Sequence, residues 1–221
     1  MNKRNVLITG GTGGIGQSIV ERLSREPQYT VYAPTRAEFD LESQESIEDF
    51  FKVSSDYDIV INNAGVNVPA CIEDIVEEQI KASLQINLVA PLLIIRKCVH
   101  HMKQQRFGRI VNVSSIWGIR SKEKRALYSA TKFALNGVTK SLCRELGPHN
   151  ILVNSICPGY VNTRLTQRNV TSEEQEVIKK EIPLRRFADP QEIAESIAFL
   201  VSDNNSYMTG QTLIVDGGFL A

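Results

Sequence analysis

The stretch Val6-Leu7-Ile8-Thr9-Gly10-Gly11-Thr12-Gly13-Gly14-Ile15-Gly16 decides the fold. Its apolar run predicts a strand, its glycines predict a tight turn, and the apolar residues that recur through Ile15–Leu23 predict a helix. A helix that begins directly after a glycine turn offers free N–H groups and its positive dipole end to a phosphate. The stretch therefore predicts a nucleotide-binding βα unit, with a turn that binds no ligand as the alternative.

Short apolar runs alternate with helical patterns along the rest of the chain. Runs without polar alternation are typical of strands covered on both faces, and their alternation with helices predicts a parallel sheet with right-handed crossovers. We therefore expect one domain, residues 1–221, with a Rossmann-type α/β fold: a doubly wound parallel sheet between two helical layers. The predicted strands are Val6–Ile8, Thr30–Tyr32, Ile59–Ile61, Ile110–Val113, Ile151–Ile156 and Thr212–Val215, and the main predicted helices are Ile15–Leu23, Glu77–Met102, Ala126–Leu146 and Pro190–Leu200.

The composition of the 221-residue chain argues against several classes of partner. Its 25 basic and 25 acidic residues cancel, which disfavours duplex nucleic acid or an anionic membrane surface as the main partner. Four cysteines without zinc spacing and only three histidines predict no metal site. No apolar stretch reaches the roughly 18 residues of a membrane-spanning helix. We expect a cytoplasmic protein with reduced thiols that contacts neither nucleic acid nor a membrane.

Further motifs follow the predicted strands in a fixed order. Together with the glycine loop, the motifs are glycines 10, 14 and 16, Asn62-Asn63-Ala64-Gly65, Asn87, Ser115, Tyr128-Ser129-Ala130-Thr131-Lys132, Pro158-Gly159 and Val215-Asp216-Gly217-Gly218. In this order they resemble the short-chain dehydrogenase/reductase family over essentially the whole chain. The segments Ile182–Leu200 and Gln211–Gly218 look most similar to those of 3-oxoacyl-(acyl-carrier-protein) reductases.

A tyrosine and a lysine four residues apart carry the predicted chemistry. Tyr128 and Lys132 share one helix face, and a neighbouring ammonium is expected to lower the pKa of a phenol toward neutrality. Ser115, at the end of a strand, can hydrogen-bond the same substrate oxygen. The resemblance implies a catalytic tetrad of these three residues and Asn87, which would hold a water linked to Lys132. Alone, each is more commonly structural, and the choice of Ser115 over Ser114 rests on family spacing.

The resemblance also implies the cofactor contacts. About 20 residues beyond the glycine loop, an acid suits the ribose of NAD and an arginine suits the 2′-phosphate of NADP. Arg36 stands there, so we expect NADP, with NAD as the alternative if Arg36 turns to solvent and Glu38 takes the ribose. The other expected cofactor contacts are Gly10, Thr12, Gly13, Gly14, Ile15, Gly16, Asp40, Leu41, Asn63, Ala64, Gly65, Asn87, Tyr128, Lys132, Pro158, Gly159, Val161 and Thr163.

The chain departs from the family pattern just after Arg36. The family places a helix and a strand between this position and an Asp beside the adenine, but here only three residues separate Arg36 from Asp40-Leu41. The missing strand would be the outermost one on its side. We therefore expect one edge β-α unit to be shortened, a sheet of six parallel strands, and an adenine pocket that is more open, floored by Asp40 and Leu41.

The expected activity is NADP(H)-dependent hydride transfer between nicotinamide and a carbonyl or secondary alcohol. The substrate is a 3-oxoacyl thioester on a carrier or, alternatively, a sugar, polyol or other small alcohol; a catalytically inactive nucleotide sensor is a third hypothesis. The basic run Ser121–Arg125 either favours an anionic substrate or is a solvated loop. The resemblance implies a substrate lid around 160–185 and a homotetramer with dihedral symmetry, with a dimer as the alternative.

Overall fold

The computed structural model describes residues 3–221, so the first two residues of the predicted domain lie outside the described part. Six strands, all parallel to their neighbours, form one sheet in the order β2-β1-β3-β4-β5-β6. This order confirms the doubly wound fold and the six-stranded sheet. The strands are β1 (Arg4–Ile8), β2 (Tyr29–Tyr32), β3 (Ile59–Asn62), β4 (Gly108–Val113), β5 (Ile151–Pro158) and β6 (Thr212–Val215).

Helices cover both faces of the sheet, and three of them were not among the sequence predictions. These three begin at side-chain caps: Ser43, Thr163 and Thr171 each accept a hydrogen bond from the backbone N–H three residues later. The helices are α1 (Gly14–Ser24), α2 (Gln44–Val53), α3 (Glu77–Leu84), α4 (Ala90–Gln105), α5 (Ala126–Leu146), α6 (Arg164–Asn169), α7 (Ser172–Glu181) and α8 (Pro190–Val201). The missed helices are α2, α6 and α7.

The hydrophobic core lies in two layers, one on each face of the sheet. Because successive side chains of a strand point to opposite faces, Val6 and Ile8 of β1 pack with α1 and α8, whereas Leu7 packs with α2 and α4. All three are completely buried. Residues at both faces of β3, β4 and β5 are equally buried, which explains their continuous apolar sequences.

The shortened edge is closed by aromatic packing. Strand β2 is the last strand on its side of the sheet, and the chain turns from it directly into α2. Phe39 in this turn is buried and stacks on Phe50 of α2 with 4.1 Å between ring centroids. Leu41 and Ile47 are buried in the same cluster. The turn therefore covers the edge that the absent helix and strand would occupy.

The predicted helix Glu77–Met102 is continuous but not regular. It contains a π-helical turn at Gln85–Val89, between α3 and α4, and extends to Gln105. A π turn inserts one extra residue and is frequently found at functional sites. The turn contains Asn87, which is only 1% exposed, so the irregularity directs this side chain inward.

The same continuous stretch, Glu77–Gln105, has the length and composition of a membrane-spanning helix, which the sequence analysis did not expect. Its most apolar window has a mean hydropathy of 1.4, and 44% of that window is buried. In the structure, the apolar side of α4 packs on the sheet, with Ile94 and Met102 completely buried in the core. A core helix of this kind meets the same length and composition test.

Helix α5 is fixed to the sheet by buried polar contacts. Thr139 accepts a 2.9 Å hydrogen bond from Asn112 Nδ2 of β4 and its hydroxyl lies 2.7 Å from that of Ser155 of β5. One turn earlier, Asn136 Nδ2 donates a 3.0 Å hydrogen bond to the carbonyl oxygen of Gly118. Satisfied buried contacts of this kind specify one arrangement of neighbouring elements. They set the position of the first two turns of α5, which carry Tyr128 and Lys132.

Candidate active site

The glycine loop after β1 forms a cradle that side chains would fill. Gly10 has a φ of +67°, a backbone conformation that favours glycine, and a Cβ on Gly16 would lie 2.0 Å from the carbonyl oxygen of Gly10. Helix α1 then begins at Gly14 with no side-chain cap and no acidic residue in its first turn. Its unpaired N–H groups and dipole favour an anion. The loop therefore fits the pyrophosphate of a dinucleotide.

Asn63 shapes this loop rather than offering its amide to a ligand. Its Nδ2 donates hydrogen bonds to the carbonyl oxygens of Thr9, at 3.0 Å, and Gly10, at 3.1 Å. In return, the Thr9 hydroxyl accepts from the backbone N–H groups of Asn63 and Ala64, both at 3.1 Å. These four bonds join the ends of β1 and β3, so Asn63 fixes the shape of the glycine loop.

A cleft of about 880 Å³ runs along the carboxyl ends of the strands. Ligand sites of α/β sheets lie at this edge. All predicted catalytic and cofactor-contacting residues except Asn87 line the cleft: Gly10, Thr12, Gly13, Gly14, Ile15, Gly16, Arg36, Asp40, Leu41, Asn63, Ala64, Gly65, Ser115, Tyr128, Lys132, Pro158, Gly159, Val161 and Thr163.

Ser115 and Ser114 point in different directions. The Ser115 hydroxyl lowers the pKa of the Tyr128 phenol and accepts a 3.2 Å hydrogen bond from the backbone N–H of Trp117. The Ser114 hydroxyl instead donates a 3.2 Å hydrogen bond to the carbonyl oxygen of Lys132 in α5. The two hydroxyls therefore have different partners: Ser114 is bonded to the backbone of α5, whereas Ser115 acts on the Tyr128 phenol.

The electrostatics of Tyr128 and Lys132 differ from the sequence expectation. Burial raises the pKa of Tyr128 to about 12, although the Ser115 hydroxyl and the Arg125 charge lower it. Burial also lowers the pKa of Lys132 to about 8. Its Nζ lies 5.6 Å from the centre of the Tyr128 ring. The expected lowering of the phenol pKa toward neutrality was wrong, because desolvation outweighs the Ser115 hydroxyl and the Arg125 charge, and Lys132 is not among the groups that lower this pKa.

Asn87 is buried and is not among the residues that line the cleft. Its Oδ1 accepts from the backbone N–H of Val66 at 2.8 Å, and its Nδ2 donates to the Val66 carbonyl at 2.9 Å and to the Thr131 hydroxyl at 3.2 Å. A Cβ on Gly65 would lie 3.3 Å from Asn87 Oδ1 and 3.5 Å from Lys132 Nζ. Asn87 thus joins the loop after β3 to α5, beside the lysine.

Arg36 lies at the far end of the cleft. Its side chain is 71% exposed, and its guanidinium pairs with Asp40, at 3.6 Å, and Glu42, at 3.0 Å. Glu38 does not line the cleft, because its carboxylate accepts hydrogen bonds from the backbone N–H and hydroxyl of Thr35, both at 2.8 Å. The cation rather than this acid therefore faces the cleft.

The predicted lid region divides into two parts. Residues 160–167, Asn169 and Val170 line the cleft, and Thr163 packs so closely on the glycine loop that a Cβ on Gly14 would lie 2.6 Å from its methyl group. Helix α7 instead packs on a separate small core around Ile178 and Phe187. The cleft-facing part of the region is thus shorter than the predicted 160–185.

Several cleft residues had no assigned role in the sequence analysis. Trp117 and Tyr160 form an aromatic wall, with 6.2 Å between ring centroids, and Asn67 and Arg125 lie in the polar part of the lining. The run Ser121–Arg125 was a visible signal, but a sequence cannot separate one inward arginine from its solvated neighbours. Arg125 is 6% exposed, whereas Lys122 and Lys124 are exposed.

Comparison with known proteins settles the family. Residues 6–220 match a family profile described as enoyl-(acyl carrier protein) reductase. The chain is a short-chain dehydrogenase/reductase. This short-chain dehydrogenase/reductase is 35% identical to the 3-oxoacyl-[acyl-carrier-protein] reductase of Aquifex aeolicus (strain VF5), over 96% of this chain and 95% of that one.

Solved structures of similar proteins hold nicotinamide cofactors. A 4-hydroxyisoleucine dehydrogenase complexed with NADH has a TM-score of 0.91 and 29% identity, over 98% of each chain. A Beutenbergia cavernae protein, solved as a candidate NAD(P)-dependent gluconate 5-dehydrogenase with NADP at low occupancy, has a TM-score of 0.92 and 28% identity. That match covers 100% of this short-chain dehydrogenase/reductase and 98% of the other chain. The family is one of nicotinamide-dependent oxidoreductases.

Proposed function

We propose that the protein transfers hydride between NADP(H) and a carbonyl or secondary alcohol. The observation that carries this proposal is the convergence of Ser115, Tyr128 and Lys132 at one end of the cleft, with the glycine loop and Arg36 at the other. A binding protein that only senses nucleotides needs no proton donor, so these three residues argue against that function.

The side chains of this site suit proton delivery to a substrate oxygen. A bound nicotinamide would supply or accept the hydride. Because the pKa of Tyr128 is raised to about 12, the phenol keeps its proton at neutral pH and can donate it to the oxygen of a carbonyl. Ser115 would hydrogen-bond the same oxygen, and the Lys132 ammonium would stabilise the phenolate that remains.

The lining of the cleft supports a dinucleotide in one orientation. The glycine loop and the first turn of α1 would hold the pyrophosphate, and Asp40 and Leu41 would border the adenine. Arg36 would bind a 2′-phosphate bidentately in place of its present carboxylate partners, which favours NADP. NAD remains the alternative, since a similar dehydrogenase is known with NADH.

Two substrate classes are proposed on different grounds. The names of relatives favour a 3-oxoacyl thioester presented by a carrier protein. A sugar, polyol or other small alcohol is favoured by the asparagine and threonine side chains of the lining, such as Asn67 and Thr166. We further propose that the protein acts in the cytoplasm as a homotetramer, because apolar side chains of α3, α4 and α5 remain exposed in a single chain.

The deciding assay follows the absorbance of reduced nicotinamide. Purified protein is incubated with NADPH and, in parallel, acetoacetyl thioesters and a panel of keto sugars; the reverse reaction uses NADP with polyols. Tyr128→Phe serves as the matched catalytic control. We expect turnover with one class that the Phe variant lacks. Absence of turnover with every carbonyl and alcohol, in protein that binds NADPH, would refute the proposal.

A further inference from the structure

Arg125 is a buried cation in the substrate part of the cleft, with little to compensate its charge. It is 6% exposed and lines the cleft. Its only side-chain hydrogen bond among residues 3–221 runs from a terminal guanidinium nitrogen to Asn67 Oδ1, at 3.3 Å, and its Nε has no partner there. No carboxylate within this described part lies within 4.0 Å of it. A buried guanidinium normally requires an anion or several acceptors.

The other buried arginine shows what a purely structural role looks like. Arg109 donates hydrogen bonds to three backbone carbonyl oxygens, and its guanidinium carbon lies 4.4 Å from the centre of the Phe107 ring. It does not line the cleft. Its Nε also lacks a partner, so the difference lies in the rest of the guanidinium group. Arg125 has one neutral acceptor where Arg109 has three and an aromatic face.

Arg125 borders the same part of the cleft as Tyr128, the proposed proton donor. It stands directly before α5, three residues ahead of Tyr128, and its charge lowers the pKa of that phenol. Asn67, its one acceptor, also lines the cleft and accepts a hydrogen bond at its backbone carbonyl from Asn169, at 3.2 Å. The guanidinium is thus held in place by one amide while it borders the space in front of Tyr128.

We propose that Arg125 binds an anionic group, a carboxylate or a phosphate, carried by the substrate close to its reacting carbon. The planar guanidinium matches either group bidentately. This inference rests on the proposed function and narrows its substrate class. The phosphate of a carrier's prosthetic arm lies at the opposite end of the arm from the thioester, so it would not reach Arg125. The site therefore favours a small oxo or hydroxy acid, or a phosphate ester, over a carrier thioester.

Binding is measurable without turnover because the single tryptophan lies in the cleft wall. Trp117 fluorescence is titrated with malonate and with inorganic phosphate, in the presence of NADPH and at constant ionic strength. Malonamide, which is neutral and similar in shape, is the matched probe. We expect saturable binding of one anion and at least about tenfold weaker binding of malonamide. The preferred anion distinguishes the carboxylate from the phosphate.

Two variants distinguish the effect of Arg125 on anion binding from that of the general positive charge of its loop. Arg125→Met should weaken anion binding by about tenfold to a hundredfold, whereas Lys124→Gln removes one exposed charge and should change it less than about twofold. Equal weakening by both variants would overturn the proposal, as would equal wild-type affinity for malonate and malonamide. If Arg125→Met does not fold, Arg125→Lys, which keeps the charge but loses the fork, must weaken binding.

Turnover distinguishes failure of this inference from failure of the proposed function. An oxo acid is compared with its methyl ester as substrate for the wild type and for Arg125→Met. We expect the variant to raise the KM of the acid at least about tenfold and to leave that of the ester nearly unchanged. If neutral substrates turn over and anions do not bind, the inference fails and the function stands. If anions bind through Arg125 but no carbonyl is reduced, the function fails instead.

Discussion

Lys132 Nζ donates a 2.7 Å hydrogen bond to the backbone carbonyl oxygen of Val113. Val113 is the last residue of β4, and Ser115 follows it after one residue. This bond therefore joins the helix that carries Tyr128 to the strand end that carries the serine. Lys132 is only 3% exposed, so holding its ammonium group in this position costs the hydration that the group would have in water.

Replacement of Tyr128 by phenylalanine should remove the proton donor and little else. We expect kcat to fall by a factor on the order of 10²–10⁴, with the affinity for NADPH nearly unchanged. Steady-state kinetics and a fluorescence titration with NADPH measure the two quantities. Retention of most of the wild-type turnover would show that another group supplies the proton.

Replacement of the two adjacent serines should have unequal effects. Ser115→Ala removes the hydroxyl that faces Tyr128, and we expect turnover to fall about a hundredfold or more. Ser114→Ala removes a bond to the helix backbone and should reduce kcat less than about fivefold, with a small loss of stability. The reverse order of the two kcat values would assign the role to Ser114.

Arg36 should determine the choice of cofactor. We expect the wild type to bind NADPH at least about tenfold more tightly than NADH, and Arg36→Asp to invert this preference. Glu42→Gln removes a carboxylate that competes for the guanidinium and should tighten NADPH binding without affecting NADH. Isothermal titration with both cofactors tests this, and a wild-type preference for NADH would contradict it.

Stability of the cofactor-free protein should depend on pH through Lys132. Its pKa of about 8 in the folded protein lies below that of an unfolded lysine, near 10.5. The unfolded chain therefore binds more protons in this window, and the wild type gains stability as the pH rises through it. Lys132→Met should be more stable than the wild type at pH 7, by at most about 3 kcal/mol, and this difference should narrow by pH 10.

Urea unfolding at the two pH values measures that difference. The raised pKa of Tyr128 acts in the opposite direction, because its stabilisation is lost as the pH rises from 10 to 12. Both proteins retain Tyr128, so its contribution largely cancels below pH 10. A difference that stays constant between pH 7 and 10 would show that Lys132 does not titrate in this window.

Assembly should bury the exposed apolar side chains of the long helices. Leu84, Leu92 and Phe133 are 38%, 39% and 47% exposed in a single chain. We expect light scattering to give four times the chain mass at micromolar concentration, and Phe133→Glu to give a smaller species. Val53→Glu, at a side chain that is 90% exposed on α2, is the control. A monomeric wild type would refute the assembly.

Patterns of residue type predicted the sheet but not the details of the site. Continuous apolar runs located all six strands, and the departure from the family pattern after Arg36 predicted the shortened edge. The capping pair Thr171 and Glu174 was readable before α7, yet a polar sequence without a clear apolar stripe concealed the helix. The pKa of Tyr128 could not be predicted, because desolvation depends on packing from distant elements. The inward turn of Arg125 was hidden for the same reason.

The compact turn between β2 and α2 holds residues proposed for coenzyme choice, and those proposed for catalysis lie elsewhere in the chain. Of the predicted site residues, this turn contributes Arg36, Asp40 and Leu41, all at the proposed adenosine end, whereas Ser115 follows β4 and Tyr128 belongs to α5, on the other side of the sheet centre. Because it lies at the sheet edge, an inserted helix and strand would extend the sheet beyond β2 without displacing those elements. For engineering, exchanging this turn should change which nicotinamide coenzyme the protein prefers and leave its choice of substrate unchanged.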